Sequence, residues 1–322
     1  MLARDARLHT EAPPRASGHA AQCLLIHHDD HLSFSGKLES DMDNIDKLLE
    51  GVEKLPPAPK LLPQLMHALS DMDCDMGSVV DMITFDPALT ARLLQMCNSA
   101  YFGLARRVAS VSEAVSRLGF HEVYHVVAIM SGEKFLRPSH SSGLDAEGMW
   151  KHAVITAFAA RFVARGIRSD ADMLFTAGLL HDIGKVPMAE ALKGDYSALV
   201  TDAALNGRTL VALENGSFDL NHAGVAGRLL EQWKFAPEFT ASVRFHHDCE
   251  AAGDSARSAA CIEIADALAH SLQDLKPDDE PQEVVVPEAL GVLGLAPKDL
   301  AAHQEAILQS WESVEKMCRL AR

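Results

Sequence analysis

The chain has 322 residues, of which 48% are hydrophobic, enough for one large domain or two modest ones with a sizeable core. Twenty-nine Lys and Arg stand against 45 Asp and Glu, a net charge of −16, which argues against a broad basic face for nucleic acid or an anionic membrane. Six cysteines without a CxxC pair suit a reducing compartment and argue against a zinc-thiolate site.

Residues 1–41 mix Pro, Gly, Ser, His and Arg without sustained periodicity and read as a disordered tail, with Cys23-Leu24-Leu25-Ile26 a weak strand signal. No signal-peptide core and no run of about 18 apolar residues is present, so the expected location is the cytoplasm and no membrane association is expected. From residue 42 the pattern is helical. Leu55-Pro56-Pro57-Ala58-Pro59 is a rigid entry to a helix with Leu62, Leu65, Met66 and Leu69 on one face. Asp86-Pro87 starts the next, which carries Leu89, Leu93, Leu94 and Cys97 and closes at Asn98-Ser99-Ala100-Tyr101-Phe102-Gly103. Ser110-Val111-Ser112-Glu113 is a capping box, Gly119 fits a helix end, and a helix follows from His121 to Phe135.

Residues 137–148 read as a linker. Beyond it the spacing predicts helices over Trp150–Arg165, Asp170–Asp182, 187–206, 208–215, 222–234, 237–246 and 255–273. Lys276 to Pro281 breaks the pattern, Val284-Val285-Val286 gives a short strand signal, and a last amphipathic helix carries Leu300, Ile307, Leu308, Trp311, Val314 and Leu320. The chain is therefore expected to be all-α. The expected divisions are the tail at 1–41, an N-terminal helical half at 42–136, a second helical half at 149–275, and a linker with C-terminal helix at 276–322.

Seven residues suggest a metal centre: His152, His181, Asp182, His222, His246, His247 and Asp266. Neighbouring residues of a helix point about 100° apart, so His181 and Asp182 can share one ion or the carboxylate can bridge two. Gly184 would turn the chain after them, and Lys185 would then face a substrate phosphate or leaving oxygen. His152 lies on the stripe of Ile155, Ala159 and Phe162, and Asp266 on that of Ile262, Ala265 and Ala269, where an unpaired carboxylate is costly. Taken singly, each has an ordinary reading as a core histidine or capping pair; together they fit one shared site better than independent accidents. Histidine and carboxylate without thiolate suit Zn, Fe, Mn, Ni or Co, one ion or two.

The order His152, His181-Asp182, Asp266 resembles the HD superfamily of metal-dependent phosphohydrolases, and the resemblance implies that these four bind the metal. His222 and the pair His246-His247 resemble the extra ligands of the two-metal HD-GYP phosphodiesterases, and Lys185 the lysine of that branch's HDxGK segment. The chain departs from that branch in two places. Asp248-Cys249-Glu250-Ala251-Ala252-Gly253 contains no Gly-Tyr-Pro, and Gly148 stands where some members carry a carboxylate. The first half is similar to the HDOD domain, the HD-related output domain of bacterial signalling proteins, in Leu55-Pro56-Pro57-Ala58-Pro59, Asp86-Pro87-Ala88-Leu89-Thr90-Ala91-Arg92, Asn98 to Gly103, and Ser110 to Gly119. That resemblance spans about residues 50–250. It implies an HD-superfamily core with an N-terminal helical subdomain and a regulatory signal-transduction protein with protein partners and a divalent-metal site, leaving room for a nucleotide ligand. The alternative it implies is an active phosphohydrolase acting on a nucleotide or cyclic dinucleotide, with Asp182 and Lys185 in catalytic roles.

Overall fold

A computed structural model describes residues 44–52, 58–71, 75–136, 143–273, 284–309 and 314–315. Among the described residues every regular element is a helix, as the sequence requires. Helix α1 covers 44–50. The N-terminal half continues with α2 (Leu61–Ser70), α3 (Met76–Thr84), α4 (Pro87–Cys97), α5 (Val111–Leu118) and α6 (Phe120–Phe135). Then come α7 (Ala146–Gly166), α8 (Ala171–Leu180), α9 (Lys185–Leu192), α10 (Gly194–Asn206), α11 (Leu210–Phe218), α12 (His222–Gln232), α13 (Pro237–Arg244), a 3-10 segment (Cys249–Ser255), α14 (Ala256–Leu272), α15 (Pro287–Leu293) and α16 (Pro297–Gln309).

Side-chain caps account for six of the helix starts. Asp75, Asp86, Asp145, Asp170 and Asn221 each accept backbone N–H groups of the first turn, a device worth about 1 kcal/mol per helix. Ser110 accepts from Glu113 N at 3.1 Å, and the Glu113 carboxylate reaches one residue further back than a standard box, to Ala109 N at 2.9 Å. Asn98 ends α4 and clamps the loop that follows. Its amide donates to Leu94 O and Val108 O, both at 2.8 Å, and accepts from Val108 N at 2.7 Å, closing residues 99–107 into a pinned loop.

One continuous apolar core runs from Leu62 to Val314 and includes residues of both halves. Helix α6 is its centre, buried on nearly all sides and in contact with α2, α4, α5 and α8. Tyr124 Oη meets Thr176 Oγ1 at 2.5 Å, and the two oxygens of Asp172 lie 2.5 Å from His121 Nδ1 and 2.7 Å from His125 Nε2, so polar contacts tie α6 to α8 as well. Helices α7, α8 and α14 pack on one another behind the site. Gly178 lets α8 approach α7 closely, since a Cβ there would stand 2.9 Å from Thr156 O. A smaller cluster of Ile45, Leu49, Met188, Ala189, Tyr196, Leu220 and Val225 seats α1 on α9, α10 and α12.

Several boundaries differ from expectation. Helix α7 begins at Ala146, inside the predicted linker, because Asp145 caps it. The helix expected over 187–206 is two helices, broken at Lys193, which adopts φ 48°. Helix α8 stops at Leu180, so His181 and Asp182 occupy the tight turn before α9 rather than the helix itself. Residues 284–286 are irregular rather than a strand, and α15 was not predicted. The tail with Cys23 to Ile26, the Leu55-Pro56-Pro57 entry, and Trp311 and Leu320 of the last helix lie outside the described residues. No helix among the described residues is long and apolar enough to cross a membrane. Cys97, Cys249 and Cys261 are free and buried.

Gly184 has an ordinary helical φ of −65°, so turning the chain is not its reason for being glycine. Its Cα faces the start of α12, where an added Cβ would lie 2.0 Å from His222 O and 2.7 Å from Ala226 N. Gly184→Ala is expected to lower the unfolding free energy by about 1–3 kcal/mol, read as an earlier urea midpoint with unchanged slope. An unchanged midpoint would show that α9 and α12 are not held this closely.

Candidate metal centre

The seven residues come from five places in the chain and form one connected cluster. Helix α7 supplies His152, the turn after α8 supplies His181 and Asp182, the first residue of α12 is His222, the turn after α13 carries His246 and His247, and α14 supplies Asp266. Four overlapping triads have one donor atom per residue within 4.8 Å of the others: His152, His181 and Asp182; His181, His246 and Asp266; His222, His246 and His247; and His152, Asp266 and His270. All seven predicted residues are in these sets.

Asp182 stands between two groups. Its Oδ2 faces His181 Nε2 at 3.4 Å and His152 Nε2 at 3.9 Å, while Oδ1 faces His222 Nε2 at 3.3 Å. Asp266 Oδ1 lies 2.9 Å from His152 Nε2 and 3.5 Å from His181 Nε2. On the far side, His222 Nε2 is 3.0 Å from His247 Nε2. Lys185 Nζ rests on Asp182 Oδ2 at 2.5 Å.

The outward-facing nitrogens settle the orientation of the rings. His181 Nδ1 is 2.8 Å from Gly178 O, His246 Nδ1 is 2.6 Å from Val243 O, His222 Nδ1 is 2.6 Å from Glu214 Oε2, and His152 Nδ1 is 3.1 Å from Gln273 Oε1. Each partner is an acceptor, so each ring keeps a proton on Nδ1, and in the neutral form that a metal ligand must take it turns the Nε2 lone pair inward. Within that arrangement His152 Nε2 and His181 Nε2 are only 3.3 Å apart. Lone pairs at such a distance repel unless a proton or a cation lies between them. His246 Nε2 is buried without a hydrogen-bond partner, and Asp266 Oδ1 is buried against the Nε2 atoms of His152 and His181, which offer it a proton only if a ring is charged. Unsatisfied buried groups of this kind cost about 1–3 kcal/mol each, and a divalent cation satisfies several at once. The donor set and its inward lone pairs therefore fit a transition-metal ion.

Electrostatics agree with the geometry. Burial alone would raise the Asp182 and Asp266 carboxyls. For Asp182 the charges of His181, Lys185 and His222 outweigh it, and for Asp266 His270, His152 and His181 do so. Both are held well below the usual carboxylate range. Burial and the neighbouring imidazoles push His246 well below its ordinary value, and burial with His222 lowers His247. These two are therefore neutral, as ligands must be. For His181 burial is outweighed by Asp182 and Asp266, and its value rises.

Four contributors, Glu214 with its partner Tyr196, Gln273 and His270, were not singled out from the sequence. Glu214 is fully buried behind His222 and shares Tyr196 Oη at 2.6 Å. Gln273 caps α14 and orients His152. His270, one turn after Asp266, packs on the His152 ring with centroids 4.4 Å apart and reaches Asp266 Oδ1 at 3.4 Å. For His270 the i,i+4 spacing from Asp266 was a usable signal. For Glu214 nothing local distinguishes it from a surface glutamate.

Acid should destabilise the metal-free protein. His246, His247, His270 and His303, and His125 in the α6–α8 contact, have folded values below the unfolded one, so the unfolded chain takes up protons that they refuse below about pH 6.5. His181, raised, contributes in the opposite direction, and its stabilisation is lost as pH rises through its folded value. The net expectation is a loss of at least about 1 kcal/mol per unit as pH falls from about 6.5 to 5. Urea midpoints of chelator-treated protein measure it; a flat profile would contradict the neutral state of the buried rings.

The HDOD domain pattern matches residues 55–249. An uncharacterized protein of Treponema pallidum (strain Nichols) is 25% identical over 203 residues, which are 62% of this chain and 39% of that protein, so the chain spans well under half of that relative's length. The crystal structure of an HDOD domain protein of unknown function from Geobacter sulfurreducens superposes with TM-score 0.73 at 23% identity, covering 88% of this chain and 99% of the other. A protein of Marinobacter aquaeolei VT8, described as a proposed signal transduction protein, gives TM-score 0.71 at 23% identity over 88% of this chain and 66% of its own. At these identities the two structures share the fold with this chain. With the matched pattern covering more than half of its length, this chain belongs to the HDOD family.

Proposed function

We propose that this protein is a signal-transduction module whose His/Asp cluster holds divalent metal and, through it, a phosphorylated ligand such as a nucleotide. The observation that carries this reading is the common orientation of His152, His181, His222 and His246, four rings with Nδ1 engaged outward and Nε2 turned toward Asp182 and Asp266. His152, His181, Asp182 and Asp266 would hold one ion. His222, His246 and His247 would hold a second, with Asp182 common to both. The resemblance to the two-metal HD-GYP residues supports the second position, while the absence of Gly-Tyr-Pro counts against a cyclic dinucleotide as the ligand. HDOD membership and the net charge of −16 favour protein partners over nucleic acid.

Phosphoester hydrolysis is the second reading, favoured by one observation. Lys185, itself partly exposed, contacts Asp182 beside the exposed rings of His247 and His270, so the cluster has a solvent-facing side. A bound divalent ion supplies Lewis-acid polarisation of a phosphoryl oxygen and of water. In this reading the residues themselves do the rest: Asp182 orients, and Lys185, whose ammonium is held charged by Asp182 against the cost of burial, stabilises charge on the leaving oxygen.

Protein purified without added metal should contain at least one equivalent of a transition metal, or acquire it on titration with Mn or Fe, by elemental analysis. No stoichiometric uptake under either condition removes both readings. Asp182→Ala should reduce uptake sharply, because it withdraws the group common to both positions. If the loaded wild type turns over a generic phosphodiester and Asp182→Ala does not, hydrolysis stands; metal uptake with no turnover leaves the regulatory reading alone.

A further inference from the structure

The two sides of the cluster carry different charge. On the His152 side, Asp266 adds a carboxylate to the shared Asp182. On the other, His222, His246 and His247 are all imidazoles: Asp182 Oδ1 faces His222 Nε2 at 3.3 Å, and Asp266, engaged by His152, comes within 4.8 Å of His246. A second divalent ion there would add two positive charges to three imidazoles whose nearby carboxylates, Asp182 and Asp266, are both shared with the His152 side. The missing negative charge sits one bond further out. Glu214 Oε2 is 2.6 Å from His222 Nδ1 and also accepts His222 N at 3.0 Å, while Glu214 Oε1 accepts Tyr196 Oη at 2.6 Å. Both Glu214 and Tyr196 are fully buried. The other three oriented rings lean on neutral acceptors, two backbone carbonyls and an amide.

We propose that Glu214 is a positioning residue that, through His222, enables the second metal position, so that the chain holds two ions with Glu214 and one without it. A carboxylate behind an imidazole draws on its Nδ1 proton, makes Nε2 a stronger donor and fixes the ring, and loss of such an outer partner weakens metal affinity by about 10–100-fold. The hydroxyl of Tyr196 works in the opposite sense, since by donating to Glu214 it disperses part of the carboxylate's charge. The two residues therefore predict effects of opposite sign, which a purely structural role would not give.

This inference rests on the metal reading above, and the experiment separates the two. Mn(II) is titrated into chelator-treated full chain, with stoichiometry by calorimetry and spin coupling by electron paramagnetic resonance. Wild type should bind two ions with a coupled spectrum. Glu214→Gln, which keeps the size of the side chain, should bind the first ion as wild type does and the second about 10–100-fold more weakly, with an uncoupled spectrum. Tyr196→Phe should bind the second ion as tightly as wild type or a few-fold more so, and it decides the matter if Glu214→Gln fails to fold. Two ions at wild-type affinity in Glu214→Gln, equal loss of both ions from a folded variant, or weakened second binding in Tyr196→Phe would each overturn the role of Glu214. A wild type that binds one ion overturns the two-position arrangement, and one that binds none overturns the metal reading itself.

Discussion

Asp182 is the constraint on which the site depends. It is a charged group 5% exposed, in a turn enclosed by helices. A carboxylate in such a place is stable only if its surroundings answer its charge, and every neighbouring element contributes an answer. The turn itself brings His181 and Lys185, α7 brings His152, and α12 brings His222. Helix packing is subordinate to this requirement in two places. Gly178 is small so that α8 can lie close to α7, and Gly184 is small so that the same turn can lie against the start of α12. Any larger residue at either position would move one of the rings away from the carboxylate.

The apolar stripes and caps made most of the fold legible. Asp86-Pro87, Ser110 with Glu113, and the run of Leu174, Phe175, Ala177, Leu179 and Leu180 each specify a helix through local chemistry, and each helix is present. What local chemistry could not supply was the tertiary decision at helix ends. Lys193 takes a left-handed φ with no glycine or asparagine to announce it, and the helix expected across it is split. Asp145 caps α7 from within a Ser- and Gly-rich stretch whose composition reads as linker.

The site was legible for a different reason. Histidine and aspartate at buried positions of apolar helices conflict with their surroundings, and the conflict is visible residue by residue at His152 and Asp266. The partners behind the rings carry no such conflict. Glu214 lies on a helix of weak amphipathic pattern, and Gln273 lies at a helix end where polar residues are ordinary, so neither stands out until the fold brings α11 behind α12 and the end of α14 beside α7. Backbone acceptors such as Gly178 O and Val243 O belong to no residue type at all.

The continuous core around α6 has a thermodynamic consequence. Because α6 packs on α2, α4 and α5 and also on α8 within one core, the two halves cannot separate without exposing the same buried surface. Free energy gained by occupying the cluster on α7, α12 and α14 is then credited to the whole cooperative unit, growing with the logarithm of ligand concentration. The loop pinned by Asn98, on the opposite half from Asp182, gains that protection against openings that pass through unfolding of the shared core. Occupancy of the cluster then slows global unfolding of both halves alike, with no displacement of a helix needed to carry it.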